Sequence, residues 1–168
     1  LELEDGTCDI ANVLTLLTEQ IRPALLPRSS EMTISGTSLP AVVPMARNDA
    51  ERLCWRLMAT LAGEASPGEE IGIRLSRDPV QVTLSMDLPA NLAGTGDIFS
   101  ASLQANQRAL SGGMFGSGFT LRLARAEARA AGGDLIREGD TVRLSLPLAT
   151  GQEHMQDHML TTLDPTGA

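Results

Sequence analysis

"GMFGSGFTLRLARAEARAAGGDL", residues 113–135, places closely spaced glycines ahead of a run with helical periodicity and a glycine pair behind it. The run predicts a helix from about Gly118 to Ala131 that stops at Gly132 and Gly133, where glycine takes the left-handed conformation at little steric cost. Free backbone N–H groups and the positive dipole end make such a start attractive to an anion such as a phosphate, and missing side chains at Gly116 and Gly118 allow close approach. Alone, the motif also describes an ordinary flexible connector.

The rest of the chain decides between these readings. Asp9 predicts an N-cap for a helix in which Ile10, Val13, Leu14, Leu17 and Ile21 share one face, ending near Pro23 or Pro27. "EMTISG" and "AVVPM" read as short strands around the turn-forming "TSLP". A second helix, capped by Asn48 or Asp49, carries the stripe Ala50, Leu53, Cys54, Leu57, Met58 and Leu61 and stops near "GEASPGEE". Ile71, Ile73 and Leu75, then Val80, Val82, Leu84 and Met86, alternate with polar residues about the connection "RDP", which is the pattern of a hairpin. Residues 88–117 form a long loop, with a short helix expected around "SASLQANQRAL". "DLIREGDTVRLSLPL" closes the pattern as a second hairpin turning at "EGD". The expected fold class is α+β: a two-layer α/β sandwich whose mixed sheet carries its helices on one face.

At 168 residues and 42% hydrophobic content, the chain suits one domain over residues 1–148, with 149–168 as a C-terminal tail. Thirteen arginines and no lysine face twenty-one acids, a formal charge of -8 that argues against nucleic acid as a partner. Cys8 and Cys54 lack metal or disulfide-framework spacing and read as buried or idle thiols. With no apolar run near the ~20 residues that cross a bilayer, and no leader pattern, the chain reads as cytoplasmic. Its abrupt start at "LELEDGTCDI" suggests a piece of a larger protein.

"GSGFTLRLARAEARAAGGDL" resembles the second glycine box and following helix of sensor histidine kinases, and residues 5–148 as a whole resemble their catalytic, ATP-binding domain, of the GHKL (Bergerat) type. "NDAERLCWRLMATLAGEA" is similar to the helix carrying the family's N box, "VQVTLSMDLP" to the strand entering the first glycine box, and "TVRLSLPL" to the closing strand; a "LELE"-like strand precedes the first helix. The resemblance implies ATP and magnesium as cofactors, and as partners the dimerisation and phosphoacceptor helices of the same protein and a response regulator or phosphotransfer protein. It also implies a homodimeric full-length protein, membrane-anchored or not.

The resemblance carries over unevenly. The asparagines expected to bind magnesium fall on Ala59 and Gly63, neither of which offers an oxygen ligand. Glu64 is the substitute candidate, though one residue along a helix turns a side chain by about 100°. Asp87 is the candidate adenine contact, one position early, with Leu88 and Pro89 where glycines are expected. Gly116 and Gly118 match the second glycine box, while Thr120 occupies its third glycine position and narrows the phosphate approach. The lid would map to "DIFSASLQANQRALSGGMF", with Phe99 the nearest match to its phenylalanine.

The expected function is therefore a degenerate catalytic-type domain, a regulatory or scaffold module with weak or no ATP binding. An active autokinase using non-standard contacts is the alternative, and an anti-sigma-factor serine kinase of the same superfamily a third. Elsewhere, Arg122, Arg125 and Arg129 share one side of their helix, either as a solvated face balanced by Glu127 and neighbouring acids or as a docking stripe for an acidic partner or the preceding helical hairpin of the same protein. His154 and His158 are four apart but lack a third ligand nearby, Trp55 reads as a partly buried anchor, and neither Ser111 nor Ser117 has a suggestive histidine partner.

Overall fold

The computed structural model describes residues 6–100 and 116–149. In chain order these form β1 (Cys8–Asp9), α1 (Ile10–Leu25), a 3-10 turn (Leu26–Arg28), β2 (Glu31–Ser35), β3 (Val42–Val43), α2 (Arg47–Glu64), β4 (Glu70–Arg77), β5 (Gln81–Asp87), a one-turn helix α3 (Ala90–Ala93), α4 (Ser117–Ala130), β6 (Asp134–Glu138) and β7 (Thr141–Pro147). The main sheet has the order β2-β4-β5-β7-β6. β2 runs parallel to β4 and every other pair is antiparallel, so the sheet is mixed.

Strand alternation does what the sequence pattern implies. Ile71, Ile73 and Leu75 on β4, Val82, Leu84 and Met86 on β5, and Val142, Leu144 and Leu146 on β7 are buried, whereas Val80, expected in the same series, sits in the turn before β5 and is 71% exposed. They meet the apolar stripes of α1, α2 and α4 in one core. The opposite face carries Arg74, Ser85, Asp87 and Arg143, which are exposed or half-buried.

Asp9 caps α1 as expected, accepting the Ala11 N–H at 3.0 Å, and it also accepts the Ala41 N–H at 2.9 Å, tying the helix start to the approach to β3. Pro23 lies inside α1, which continues to Leu25 before the 3-10 turn containing Pro27 takes over. The cap expected at Asn48 or Asp49 is corrected: α2 starts at Arg47 after Ala46, with no side-chain cap. Asp49 instead sits in the first turn, where a carboxylate complements the dipole, and pairs with Arg52 at 3.3 Å.

"AVVPM" does form a strand, but β3 pairs with β1 in a separate two-stranded piece rather than joining the main sheet. The "LELE"-like strand, the helix around "SASLQANQRAL" beyond Ser100, Ser111, and the histidines at 154 and 158 lie outside the described residues. Leu148 and Ala149 are still tied in, donating to the carbonyls of Val80 and Val42.

Glycine is required at two crossings. A Cβ on Gly133 would lie 1.7 Å from the Ser145 carbonyl oxygen, and one on Gly36, whose φ is +87°, would lie 1.9 Å from that of Leu75. Cys8 and Cys54 are buried free thiols, as expected. No described helix is long and apolar enough to cross a membrane.

Candidate functional site

The residues singled out for nucleotide binding lie on the second half of α2, the end of β5 with the turn after it, and the start of α4. Ala59 and Gly63, one turn apart on α2, are half-buried. Glu64 is turned from Gly63 onto the helix's buried face with Leu57 and Leu61, and is 4% exposed. Its backbone carbonyl accepts Asn91 Nδ2 at 2.9 Å.

Asp87 is opposite Thr141 in the β5–β7 register, and its side chain lies on the outer face of the sheet. There it accepts the Gly72 N–H at 3.1 Å and pairs with Arg74 at 2.9 Å. The period of two that points Met86 at the helices points Asp87 away from them and returns Leu88, 7% exposed, to the helix side. Asp87 stands one position before the place expected for an adenine contact, and the pleat turns that one-residue offset into a change of face.

The turn after β5 packs inward. Leu88, Leu92 and Ile98 belong to the hydrophobic core, and the last two are 2% and 0% exposed. Polar straps hold this segment. Glu69 accepts the Ser66 N–H through Oε1 and the Ala90 N–H through Oε2, at 2.8 and 2.9 Å. Arg137 on β6 donates to the carbonyls of Ala93, at 2.7 Å, and of Thr95. Phe99 is clamped on α4: Arg122 donates to its carbonyl, and the Arg125 guanidinium stacks 4.2 Å from its ring centroid. Asp97 accepts the Phe99 N–H at 3.0 Å, a bond that holds its carboxyl below the usual range.

At α4, Gly116 is the N-cap residue and supplies no side-chain cap. Gly116, Ser117 and Gly118 are buried, and Thr120 Oγ1 turns back onto the Gly116 carbonyl at 3.2 Å. The balance expected from Glu127 is corrected, because Glu127 binds Arg56 of α2 through two bonds of 3.0 and 3.3 Å; the balance expected from neighbouring acids holds at Arg129, which pairs with Asp134 at 2.9 Å. Trp55 remains 39% exposed on α2.

The structure therefore brings Asn91 to the end of α2 and Phe99 to α4, and turns Asp87 out of that neighbourhood. Asn91, Glu69 and Arg137 escaped the sequence reading, because each acts through a backbone atom supplied by a distant segment. No periodic pattern marks such contacts. Among the described residues, no group of three His, Cys, Asp or Glu side chains is placed to hold a metal ion.

Comparison with solved structures gives this geometry a fold name. The chain is similar to the mycobacterial sensor histidine kinase MprB at 18% identity and a TM-score of 0.61, over 86% of this chain and 98% of that one. It is similar to the catalytic domain of the histidine kinase ThkA at 15% identity and a TM-score of 0.63, over 87% and 97% of the two chains. The chain has the fold of histidine-kinase catalytic domains. The same histidine-kinase-type fold accounts for 31% of full-length ShkA, solved in complex with AMPPNP, with 15% identity, a TM-score of 0.62 and 88% of this chain covered. No protein-family model matches the sequence, and no curated protein is significantly similar to it.

Proposed function

We propose that this histidine-kinase-type domain is a regulatory or scaffold module of two-component signalling whose ATP chemistry is reduced or lost. One observation carries the reading: a methyl group and a hydrogen stand at 59 and 63, where a magnesium site needs oxygen donors, while Leu88, Leu92 and Ile98, on the segment that Asn91 ties to the end of α2, are buried in the hydrophobic core. Phosphoryl transfer rests on positioning and charge compensation, and each 1.4 kcal/mol of missing stabilisation lowers the rate about tenfold. Glu64 does not substitute for the absent donors in this reading, because its position on α2 belongs to the core face. Asp87 does not read adenine, because its carboxylate is engaged by Arg74 and Gly72 on the outer face. The residues present do not fit a magnesium–triphosphate group.

The module acts in the cytoplasm by docking on the dimerisation helices of its own homodimeric protein and on a response regulator, transmitting conformation in place of phosphate. Titration calorimetry with AMPPNP, with and without magnesium, tests the proposal. Silence in both conditions supports it. Micromolar, magnesium-dependent binding overturns it in favour of an active autokinase, the reading favoured by the glycine-bounded start of α4.

A further inference from the structure

We propose that the free edge of β2, with the cavity beside it, is a binding site for an extended peptide strand of another polypeptide, which pairs with β2 and inserts one apolar side chain. The inference is independent of whether the domain binds nucleotide. Among the described residues, β2 ends the main sheet and is hydrogen-bonded to β4 alone. The Glu31 N–H donates to the Glu69 carbonyl, so in a parallel ladder Glu31, Thr33 and Ser35 direct their backbone groups at β4, while those of Met32 and Ile34 point the other way. That outward row matches one ligand chemistry, the backbone of another extended chain.

Edge strands are ordinarily blunted by Lys, Pro, bulges or inward charges. "EMTIS" has none of these, and its single charge, Glu31, stands at the beginning.

Beside this edge lies a cavity of about 300 Å³, bounded by Thr18, Arg22 and Leu25 of α1, Leu26 of the turn, Ser29 and Ser30 after it, and Glu31 and Met32 of β2, so that charged and hydroxyl groups surround its apolar part. No β4 residue lines it, so it opens on the unpaired side. Its volume is at the small end for ligand pockets and suits a side chain better than a cofactor. Leu25 and Met32 give it an apolar floor, and Leu26, 65% exposed, stands at its rim. Ser29 in its wall has φ 55°, the sole positive φ of a non-glycine among the described residues.

The test is selection from a phage-displayed linear dodecapeptide library on this chain, followed by titration of a synthetic consensus peptide read by fluorescence anisotropy and amide NMR shifts. The expected consensus contains one aliphatic or aromatic residue, and the largest shifts fall on Thr18, Leu25, Met32 and Ile34. Ile34→Pro removes an outward N–H without touching the β2–β4 ladder and weakens binding roughly tenfold. Leu26→Glu, at an exposed position that folding tolerates, weakens it as well and melts as the parent does, while Ile34→Pro, which also loses a side chain packed against the core, melts somewhat lower. No enrichment over a bait-free control, shifts mapping to another face, or equal affinity in both variants overturns the proposal. Should Ile34→Pro fail to fold, Leu26→Glu and the shift map decide it.

Discussion

Arg28 shows how much a single side chain can organise. Its guanidinium donates to the carbonyls of Ala62, at 3.0 Å, and Ala65, at 2.5 Å, satisfying the C-terminal end of α2, where no basic residue of the helix itself is present in the last turn. Arg28→Ala leaves those partly buried carbonyls without their charged donor and is expected to cost about 2 kcal/mol in urea unfolding. The two thiols make a different point at the same scale. Burial pushes Cys8 up to about 11 and Cys54 to about 12, from an ordinary 9.0. The unfolded thiols ionise first, so their contribution to stability is full below pH 9, then lost as pH climbs toward 11 for Cys8 and 12 for Cys54. In native protein at pH 8, both cysteines should react with DTNB at least a hundredfold more slowly than in urea, a ratio of order 10² set by the scarcity of open states.

Between elements, the packing of α2 on α4 carries the half-buried Arg56–Glu127 pair, with two bonds rather than one. Glu127→Ala is expected to lose about 1.5 kcal/mol, and a double-mutant cycle with Arg56→Ala should return a coupling of about 1 kcal/mol. The turn helix α3 is short, yet Leu92 from it is wholly enclosed. Leu92→Ala is therefore expected to behave as a core truncation, costing about 3 kcal/mol by chemical denaturation. A loss below about 1 kcal/mol, by contrast, would mean that the space is open and could admit a ligand. At the crossing of β6 and β7, Gly133→Ala forces a methyl into a backbone carbonyl and is expected to cost about 3 kcal/mol or to prevent folding.

For the molecule as a whole, the proposed loss of ATP chemistry has two parts, missing donors on α2 and an interior filled with leucine and isoleucine. Restoring the donors alone, with Ala59→Asn and Gly63→Asn, is expected to leave AMPPNP binding undetectable by calorimetry, because the apolar fill remains. Recovery of magnesium-dependent binding in that variant would place the whole defect on α2. The alternating strands, the three long helices and the stop at Gly132 were readable because each is periodic or terminates on a residue with one conformational use. The pairing of β1 with β3, the face taken by Asp87 and the straps at Asn91 and Arg137 were not, because each depends on segments far apart in the chain.

Local pattern, then, is what the amino-acid order determined: which strand residues alternate inward, where helices stop, and that positions 59 and 63 hold no ligand atoms. Those properties follow from side-chain chemistry and backbone period, which act over a few residues. Tertiary structure alone decided that Asp87 faces Arg74, that Leu88, Leu92 and Ile98 occupy the interior, and that β2 is left with a free edge above a cavity. Each of these is a matter of register and packing between distant elements, and a one-residue change of register reverses the face that a side chain meets.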